Sequence, residues 1–271
     1  MLYKIIQLLP EIKGKHRLSR LILHNKISKK NDIISCKNGL LFLCPNFKEN
    51  VSFELLINGI YEPRNIDFIL KNIPKNGVFF DVGANIGAIS IPIAKKRPDI
   101  TIYCFEASQK VFSYLKKNIE LNGLNNIKAM NCLLVDEVKG ELPFYSPEEQ
   151  YGKGSMSAIF TKNQEMVQTE TLDNFVKEQD LQKVDFIKID VEGYEKTVLS
   201  GSVSVLRNLK PKIFFEFLDW AEDASVVNQI GDAQRLLFQN DYRIFDFSNI
   251  NIELKNPLLT GGADLIGIPK L

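Results

Sequence analysis

The stretch "VFFDVGANIGAIS", residues 78–90, combines a carboxylate with two closely spaced glycines. Asp81 stands near the end of an apolar run of strand length, and Gly83 and Gly87 follow before a helical pattern begins. Glycine lets the backbone pass close to a ligand and adopts positive φ without strain. The glycines lack the G-x-G-x-x-G spacing of dinucleotide sites. The lysine and the serine or threonine that follow the last glycine of a phosphate-binding loop are also missing.

A second carboxylate, Glu106 in "CFEAS", ends the next apolar strand. It lies about twenty residues past the glycines, the distance at which a carboxylate accepts hydrogen bonds from ribose hydroxyls in dinucleotide folds. Asp81 in the turn suits a positively charged group and does not suit a pyrophosphate. The two carboxylates therefore predict a site for a nucleoside with a cationic, amino-acid-like tail. S-adenosylmethionine (SAM) fits that description better than NAD does.

Further carboxylates at strand ends indicate where a proton could be accepted. The only histidines, His16 and His24, lie in the N-terminal segment, so a base near the strand ends must be a carboxylate or water. We predict Asp190 and Glu192 in "IDVEG" as candidate bases, with Glu216 in "FFEF" in reserve. The alternatives are that Asp190 fixes the cofactor's amino group, that Glu192 favours a helix N-terminus, and that Glu216 is a partnered structural acid.

Two neighbouring features give weaker indications. Carboxylate clusters also bind hard divalent ions, but we predict no essential metal here. Lys188 alternates with the apolar residues of its strand, which favours a pairing lysine over a catalyst.

The composition of the chain limits the classes of protein to which it can belong. The 271 residues suit one α/β domain with a small appendage. Lysine plus arginine (34) nearly balance aspartate plus glutamate (33), which argues against general nucleic-acid binding. The four cysteines show no C-x-x-C spacing, and no signal peptide or membrane-spanning run is evident, so we predict a cytoplasmic protein.

The elements that position these residues follow a regular pattern. From residue 78 onward, apolar strands alternate with helices, which predicts a mostly parallel sheet covered on both faces. The pattern places the third strand in "IKAMNCLLVD" and single helices over residues 194–209 and about 223–240. Ligands bind outside the carboxyl ends of such strands. We predict an N-terminal extension over residues 1–60, with a basic amphipathic helix and short strands in "NGLLFLCPN" and "NVSFELLINGIYEP". The main domain is predicted over residues 61–271.

Three motifs together resemble a known family. "FFDVGANIG", "CFEAS" and "FIKIDVEGYEKTVLSG" are similar to the successive signatures of the FkbM family of SAM-dependent methyltransferases. The resemblance covers roughly residues 61–217, more than half of the chain. It implies the class I methyltransferase fold, which is Rossmann-like, with a seven-stranded sheet whose last strand is antiparallel. It also implies methyl transfer to a hydroxyl, often on a sugar or a polyketide.

The resemblance implies a set of cofactor contacts. Asp81, Gly83, Asn85 and Gly87 would surround the methionine part of SAM, and Glu106 would hold the ribose hydroxyls. Asp190 would lie beside the sulfonium and Glu192 beside the entering substrate, which it would also bind. The residues around the adenine would come from the end of the third strand. The further cofactor contacts implied in this way are Ala84, Ala107, Asn131, Cys132 and Leu133.

Two segments are predicted to contribute to the acceptor side. "YSPEEQYGKGSMSAIF", residues 145–160, carries Ser155 and Ser157, whose hydroxyls suit a sugar ligand; the alternative is a surface hairpin. "GIYEPRN" carries Tyr61 and Glu62, which we predict to bind substrate and close over the cofactor. The alternative for this segment is structural, because a proline at the first position of a helix would explain Pro63 without any role in binding.

We therefore predict a SAM-dependent O-methyltransferase acting on a glycan or a related small-molecule hydroxyl. The alternatives are a catalytically idle SAM-fold scaffold and an N-methyltransferase on protein or nucleic acid, although the "[DN]-P-P-[YF]" tetrapeptide of base methylation is missing. A nicotinamide oxidoreductase is disfavoured by the glycine spacing. The basic N-terminal segment is either a solvated capping helix or a contact for an anionic substrate, a membrane surface or a partner.

Overall fold

The computed structural model describes residues 2–10, 12–225 and 228–270. The strands are β1 (Lys30–Ser35), β2 (Leu41–Asn46), β3 (Val78–Val82), β4 (Thr101–Phe105), β5 (Ile127–Met130), β6 (Leu133–Leu134), β7 (Glu141–Tyr145), β8 (Gln164–Glu170), β9 (Phe186–Ile189), β10 (Lys212–Leu218), β11 (Tyr242–Asp246), β12 (Glu253–Leu254) and β13 (Gly262–Pro269). The helices are α1 (Leu2–Leu8), α2 (Lys15–Ile22), α3 (His24–Ile27), α4 (Asn50–Asn58), α5 (Pro63–Asn72), α6 (Ser90–Lys96), α7 (Gln109–Leu121), α8 (Leu172–Glu178), α9 (Glu195–Ser200), α10 (Val203–Asn208), α11 (Asp219–Ala224) and α12 (Asp232–Gln239). Single 3₁₀ turns lie at Lys37–Gly39 and Tyr151–Lys153.

The main sheet has the strand order β12-β11-β13-β10-β9-β3-β4-β5. Its central strands β10, β9, β3, β4 and β5 are parallel, whereas β13 runs antiparallel between β10 and β11. The α/β class and the antiparallel last strand are therefore as predicted. The two-residue edge strand β12 is an eighth member that the predicted seven strands did not include.

The sheet separates two hydrophobic clusters because side chains alternate across a strand. Phe79 and Phe80, neighbours on β3, are both fully buried and belong to different clusters. On one face, Phe80 and Phe105 pack edge to face around Phe175 of α8, with ring centroids 4.9 to 5.9 Å apart. The strands β3, β4 and β9 are mostly apolar because helices cover both faces of the sheet.

The N-terminal extension packs directly against the main domain. Strands β1 and β2 form an antiparallel hairpin, and their buried Ile34 and Phe42 share one cluster with Phe79 of the main sheet. The prediction of short strands was wrong for "NVSFELLINGIYEP", because residues 50–58 form helix α4. Glu49 begins that helix by accepting a hydrogen bond from the Val51 amide at 2.5 Å. Within the described residues, no helix is both long and apolar enough to cross a bilayer.

Two predicted helices are interrupted. The segment 194–209 forms α9 and α10 with a break at Gly201, where an added β-carbon would lie 2.0 Å from the Val135 carbonyl oxygen. The region predicted as one helix over about residues 223–240 contains α11 and α12, and residues 226 and 227 lie outside the described part. The predicted third strand is also split, because β6 leaves the main sheet and joins β7 and β8 in a small sheet.

Candidate active site

A cleft opens where the carboxyl ends of β3, β4 and β9 meet. The strand-end residues Val82 and Phe105 and the turn residue Asp190 line it. This is the edge at which open α/β sheets bind ligands. The α4 helix and the loop between β7 and β8 add Val51, Tyr151 and Met156 to the opposite wall.

The turn after β3 is built around Gly83. Its φ is +72°, and a β-carbon at this position would lie 1.9 Å from the Asp190 carbonyl oxygen. The amides of Gly83 and Ala84 both donate to the Phe105 carbonyl at 3.0 Å. Gly83 therefore lets the turns after β3 and β9 touch, which gives the cleft its floor.

Asp81 is fully buried on the wall of this cleft. One oxygen, Oδ2, accepts a hydrogen bond from the Ser90 hydroxyl at 2.5 Å. The other, Oδ1, has no hydrogen-bond partner among the described residues and lies 3.6 Å from the Lys188 ammonium. A buried carboxylate oxygen of this kind fits a ligand that brings an ammonium group.

Lys188 connects the two acids at the end of β3 and β9. Its ammonium lies 3.2 Å from Asp190 Oδ2 and is almost completely buried. Burial lowers the pKa of Lys188, but Asp190 and Asp81 outweigh that effect and raise the pKa above its ordinary value. A lysine held protonated cannot act as a base, so the structure agrees with the predicted pairing role.

Glu106 lies at the end of β4, with its carboxylate 8% exposed. Its two oxygens accept hydrogen bonds from the amides of Asn85 and Ser108, both at 2.9 Å. Burial raises the pKa of Glu106 to about 7, against the effect of these two amides. Each oxygen keeps a second lone pair for a ligand hydroxyl, and Asn85 adopts a φ of +53° to reach Glu106.

The remaining predicted cofactor contacts divide into two groups. Ala84, Ala107, Cys132 and Leu133 line the cleft, where Phe144 and Met156 add apolar surface suited to a flat base. Gly87 and Asn131 are not part of the cleft wall. Gly87 packs against Ile91 and Leu115, and the Asn131 amide donates to the Glu106 and Ala107 carbonyls at 2.9 Å, so both support the wall from behind.

The "DVEG" turn after β9 contributes Asp190, Val191 and Glu192 to the cleft wall. Glu192 lines it with a φ of +52°, and Gly193 fits because a β-carbon there would lie 2.3 Å from the Ala221 carbonyl oxygen. Burial and the nearby Asp190 raise the pKa of Glu192 to about 7, while Lys153 opposes the shift. Asp190 itself is 37% exposed toward the cleft.

Glu216 lies on β10, directly opposite Asp264 of β13. Burial, followed by the negative charges of Asp190 and Glu192, raises the pKa of Glu216 to about 9. It is not part of the cleft wall, so it shapes the electrostatics of this end rather than touching the space inside.

Tyr61 and Glu62 lie beside the same acids. Tyr61 lines the cleft, whereas Glu62 is not part of the cleft wall and accepts from the Asn65 side chain at 2.8 Å. Burial and Asp190 raise the pKa of Glu62 to about 7. Pro63 is the first residue of α5, as predicted.

The loop between β7 and β8 folds over the cleft, but through residues other than its serines. Tyr151, Gly152, Gly154 and Met156 line the cleft. Ser155 and Ser157 are buried, and the Ser157 hydroxyl hydrogen-bonds Tyr194, a cleft residue. The serines therefore hold the loop in place in this structure.

Sequence reasoning missed several residues that line the cleft. Tyr151 and Tyr194 have recognisable signals, since one precedes the "GKG" pair of glycines and the other follows "DVEG". Val51 has none, because it reaches the cleft only through the packing of α4. Among the described residues, no group of three or more histidines, cysteines and acids is arranged to hold a metal ion.

Comparisons with known proteins agree with this geometry. Residues 81–244, more than half of the chain, match the methyltransferase FkbM domain. A methyltransferase of Sordaria araneosa, sdnD, is 29% identical over 163 residues, which cover 49% of this chain and 62% of the relative. Methyltransferase 1 of Beauveria bassiana is 27% identical over 173 residues, which cover 56% of this chain and 70% of the relative.

A more distant relative is the hexuronic acid methyltransferase AglP of Haloferax volcanii, which is 26% identical over 53% of this chain and 57% of its own length. Among solved structures, methyltransferase FkbM of Methylobacillus flagellatus aligns with a TM-score of 0.43 at 14% identity, covering 80% of this chain and 52% of that one. The chain spans less than two thirds of the first relative's length. On the match over residues 81–244, the chain belongs to the FkbM family of SAM-dependent methyltransferases.

Proposed function

We propose that this protein transfers a methyl group from SAM to a hydroxyl of a sugar or a related natural product. One observation carries the proposal: the carboxylates of Asp81, Glu106 and Glu192 line a single cleft at the ends of three neighbouring parallel strands. The first two suit the cofactor, and the third lies where an acceptor would enter. Family membership supplies the reaction type.

The residues present fit SAM. Asp81 Oδ1 would accept from the α-amino group, and Glu106 would accept from the ribose hydroxyls with its spare lone pairs. Leu133, Phe144 and Met156 would pack against the adenine. When bound, SAM supplies a methyl group activated by an adjacent sulfonium. The rest of the mechanism concerns how the protein orients the acceptor and receives its proton.

Glu192 is the best placed base. A hydroxyl becomes a stronger nucleophile when a carboxylate accepts its proton, and a base with a pKa near the working pH does this most effectively. Burial raises the pKa of Glu192 to about 7, and the side chain lines the cleft. Asp190 forms an ion pair with Lys188, so it would orient the acceptor hydroxyl rather than accept its proton. Glu216 lies outside the cleft wall, and its pKa of about 9 keeps it protonated near neutral pH, so it would not accept the acceptor's proton.

The rim of the cleft supports a sugar-like acceptor. Trp220 at the start of α11 is 46% exposed and packs edge to face with Phe160, with ring centroids 5.8 Å apart. The Lys153 ammonium lies 5.2 Å from the Phe160 ring centroid, and the glycines on both sides of Lys153 line the cleft. An aromatic face beside hydrogen-bonding carboxylates suits the apolar face and the hydroxyls of a pyranose. The similarity to a hexuronic acid methyltransferase points to the same chemical class.

The test is transfer of isotopically labelled methyl groups from SAM to a panel of neutral hexosides, hexuronosides and small phenols, with a lysine-containing peptide and a single-stranded nucleic acid as nitrogen acceptors. We expect label on a carbohydrate oxygen, located by mass spectrometry and NMR, and strongly reduced transfer by Glu192→Gln. Label on nitrogen would favour the N-methyltransferase alternative. Tight SAM binding without transfer to any member of the panel would favour the idle scaffold.

A further inference from the structure

Buried polar side chains help to attach the first two helices to the protein, and in α1 the apolar Ile6 packs beside them in the core. In α1, the Gln7 amide is buried and donates to the carbonyls of Leu55 and Leu56 on α4, both at 3.2 Å. In α2, the buried Lys15 ammonium donates to the Asn58 side chain of α4 at 2.6 Å. Both helices therefore use α4 as their support.

Other polar groups of α2 also face α4. The Arg20 guanidinium lies 4.1 Å from the centroid of the Phe53 ring, and His16 Nε2 lies 3.1 Å from Glu54 Oε1. A surface helix ordinarily buries its apolar stripe and leaves its polar face to water. In α2 this arrangement is reversed, because its buried residues are Lys15 and Ser19. Helix α1 buries Ile6 together with Gln7 and leaves its other apolar residues exposed.

The apolar sides of the two helices point outward. On α1, Leu2, Ile5 and Leu8 recur every three residues and are 50%, 57% and 85% exposed. On α2, Leu18, Leu21 and Ile22 are 51%, 73% and 45% exposed. We call these six residues the apolar face of α1 and α2. Single exposed apolar side chains are ordinary, but six on two consecutive helices, with Leu9 and Ile12 also exposed between them, indicate an interaction site.

The charge around the apolar face identifies its partner. Residues 1–30 contain eight lysines and arginines and one acidic residue, Glu11. Lys4, Lys13 and Arg17 are exposed on the same helices and the turn between them. A second copy of the chain would bring these like charges together, which disfavours self-association. Leucine and isoleucine flanked by lysine and arginine is instead the pattern of a helix that lies in the interface of an anionic membrane.

We propose that the apolar face of α1 and α2 binds peripherally to an anionic lipid bilayer, with the exposed lysines and arginines contacting lipid headgroups. The inference does not depend on the proposed methyl transfer. It gives α4 two tasks, since its first turn contributes Val51 to the cleft and its last two turns hold both membrane-binding helices.

The experiment is co-sedimentation of the full chain with vesicles of equal parts phosphatidylcholine and phosphatidylglycerol, and with vesicles of phosphatidylcholine alone. We expect binding to the mixed vesicles only, and its loss when salt is raised from about 0.1 M to about 0.5 M. Lys13→Glu with Arg17→Glu should weaken binding by at least about tenfold.

The apolar contribution is tested with Leu8→Asp combined with Leu21→Asp. The matched control is Val138→Asp with Ile252→Asp, which changes two residues of 51% and 48% exposure outside the apolar face. We expect the first pair to abolish vesicle binding and the control to leave it intact, with the thermal unfolding midpoint of both pairs as wild type. Equal binding by both pairs would overturn the proposal. A second result would also overturn it. Light scattering would show that the wild type is a dimer, that Leu8→Asp with Leu21→Asp dissociates this dimer, and that the wild type does not bind the vesicles.

Discussion

The carbonyl oxygen of Asp190 occupies the space that a β-carbon on residue 83 would need, 1.9 Å from its ideal position. The turns after β3 and β9 can meet only because residue 83 is glycine. Gly83→Ala should therefore lower the free energy of unfolding by more than about 3 kcal/mol, because a backbone clash is added to the strain of positive φ. Chemical denaturation measures this change directly.

Gly140→Ala is the matched control for that substitution. Gly140 has nearly the same φ, +74° against +72°, but nothing lies within 4 Å of the added carbon. Gly140→Ala should lower the free energy of unfolding only by the strain of positive φ that both variants share, about 1 to 2 kcal/mol. Equal destabilisation by the two variants would show that the Asp190 contact is unimportant.

Glu192→Gln should lower kcat by about 10² to 10⁴ while leaving the affinity for SAM unchanged, because the amide cannot accept the acceptor's proton. Since burial raises the pKa of Glu192 to about 7, wild-type activity should rise with pH through that value. The rise should disappear in the variant and persist, shifted, in Glu192→Asp. Steady-state rates over the pH range measure this. An unchanged pH profile in Glu192→Gln would remove Glu192 as the base.

Trp220→Ala should raise the KM for a carbohydrate acceptor by about tenfold, because the aromatic face that a sugar ring would contact is lost. Trp220→Phe should restore most of the affinity, and binding of SAM should not change in either variant. Trp220 is the chain's single tryptophan, so its fluorescence also reports acceptor binding in the wild type. Fluorescence that does not respond to an acceptor that is turned over would contradict this placement.

Glu216→Gln should stabilise the protein in alkaline solution. Burial raises the pKa of Glu216 to about 9, whereas the unfolded chain releases this proton near the ordinary glutamate pKa of 4.5. Between these values the folded state binds more protons than the unfolded state, so stability falls as pH rises. The variant has no such proton to lose. Its free energy of unfolding, relative to that of the wild type, should therefore rise by roughly 2 kcal/mol between about pH 5 and about pH 8.

Denaturant titrations of the wild type and Glu216→Gln at both pH values measure that difference. Glu178→Gln is the control, because Glu178 is exposed near the end of α8. An advantage that does not depend on pH would mean that Glu216 is ionised in the folded protein.

The predictions from sequence succeeded where local pattern and tertiary structure agree. The apolar run of β3 ending in Asp81 and Gly83 can only be a buried strand followed by a tight turn, and parallel strands then bring Glu106 and Asp190 to the same edge. They failed where distant contacts decide the conformation. Residues 50–58 are as apolar as a strand, but the Glu49 cap and the packing of α4 make them helical.

The same distinction applies within the site. Gly87 was expected at the cofactor because glycine permits close approach, yet the close approach is that of Ile91 and Leu115. Asn131 was expected at the adenine, but its amide is used by two carbonyls of the neighbouring loop. A sequence indicates which residues need special geometry, and only the packing shows which neighbour requires it.

The most direct test of the account is a calorimetric titration of the full chain with S-adenosylhomocysteine, repeated with Glu106→Ala and with the exposed-site control Glu178→Ala. We predict a Kd of about micromolar order for the wild type and the control, and at least about tenfold weaker binding for Glu106→Ala, with its unfolding midpoint measured alongside. Absence of binding to the wild type, or equal binding by a folded Glu106→Ala, would contradict the assignment of this cleft to SAM.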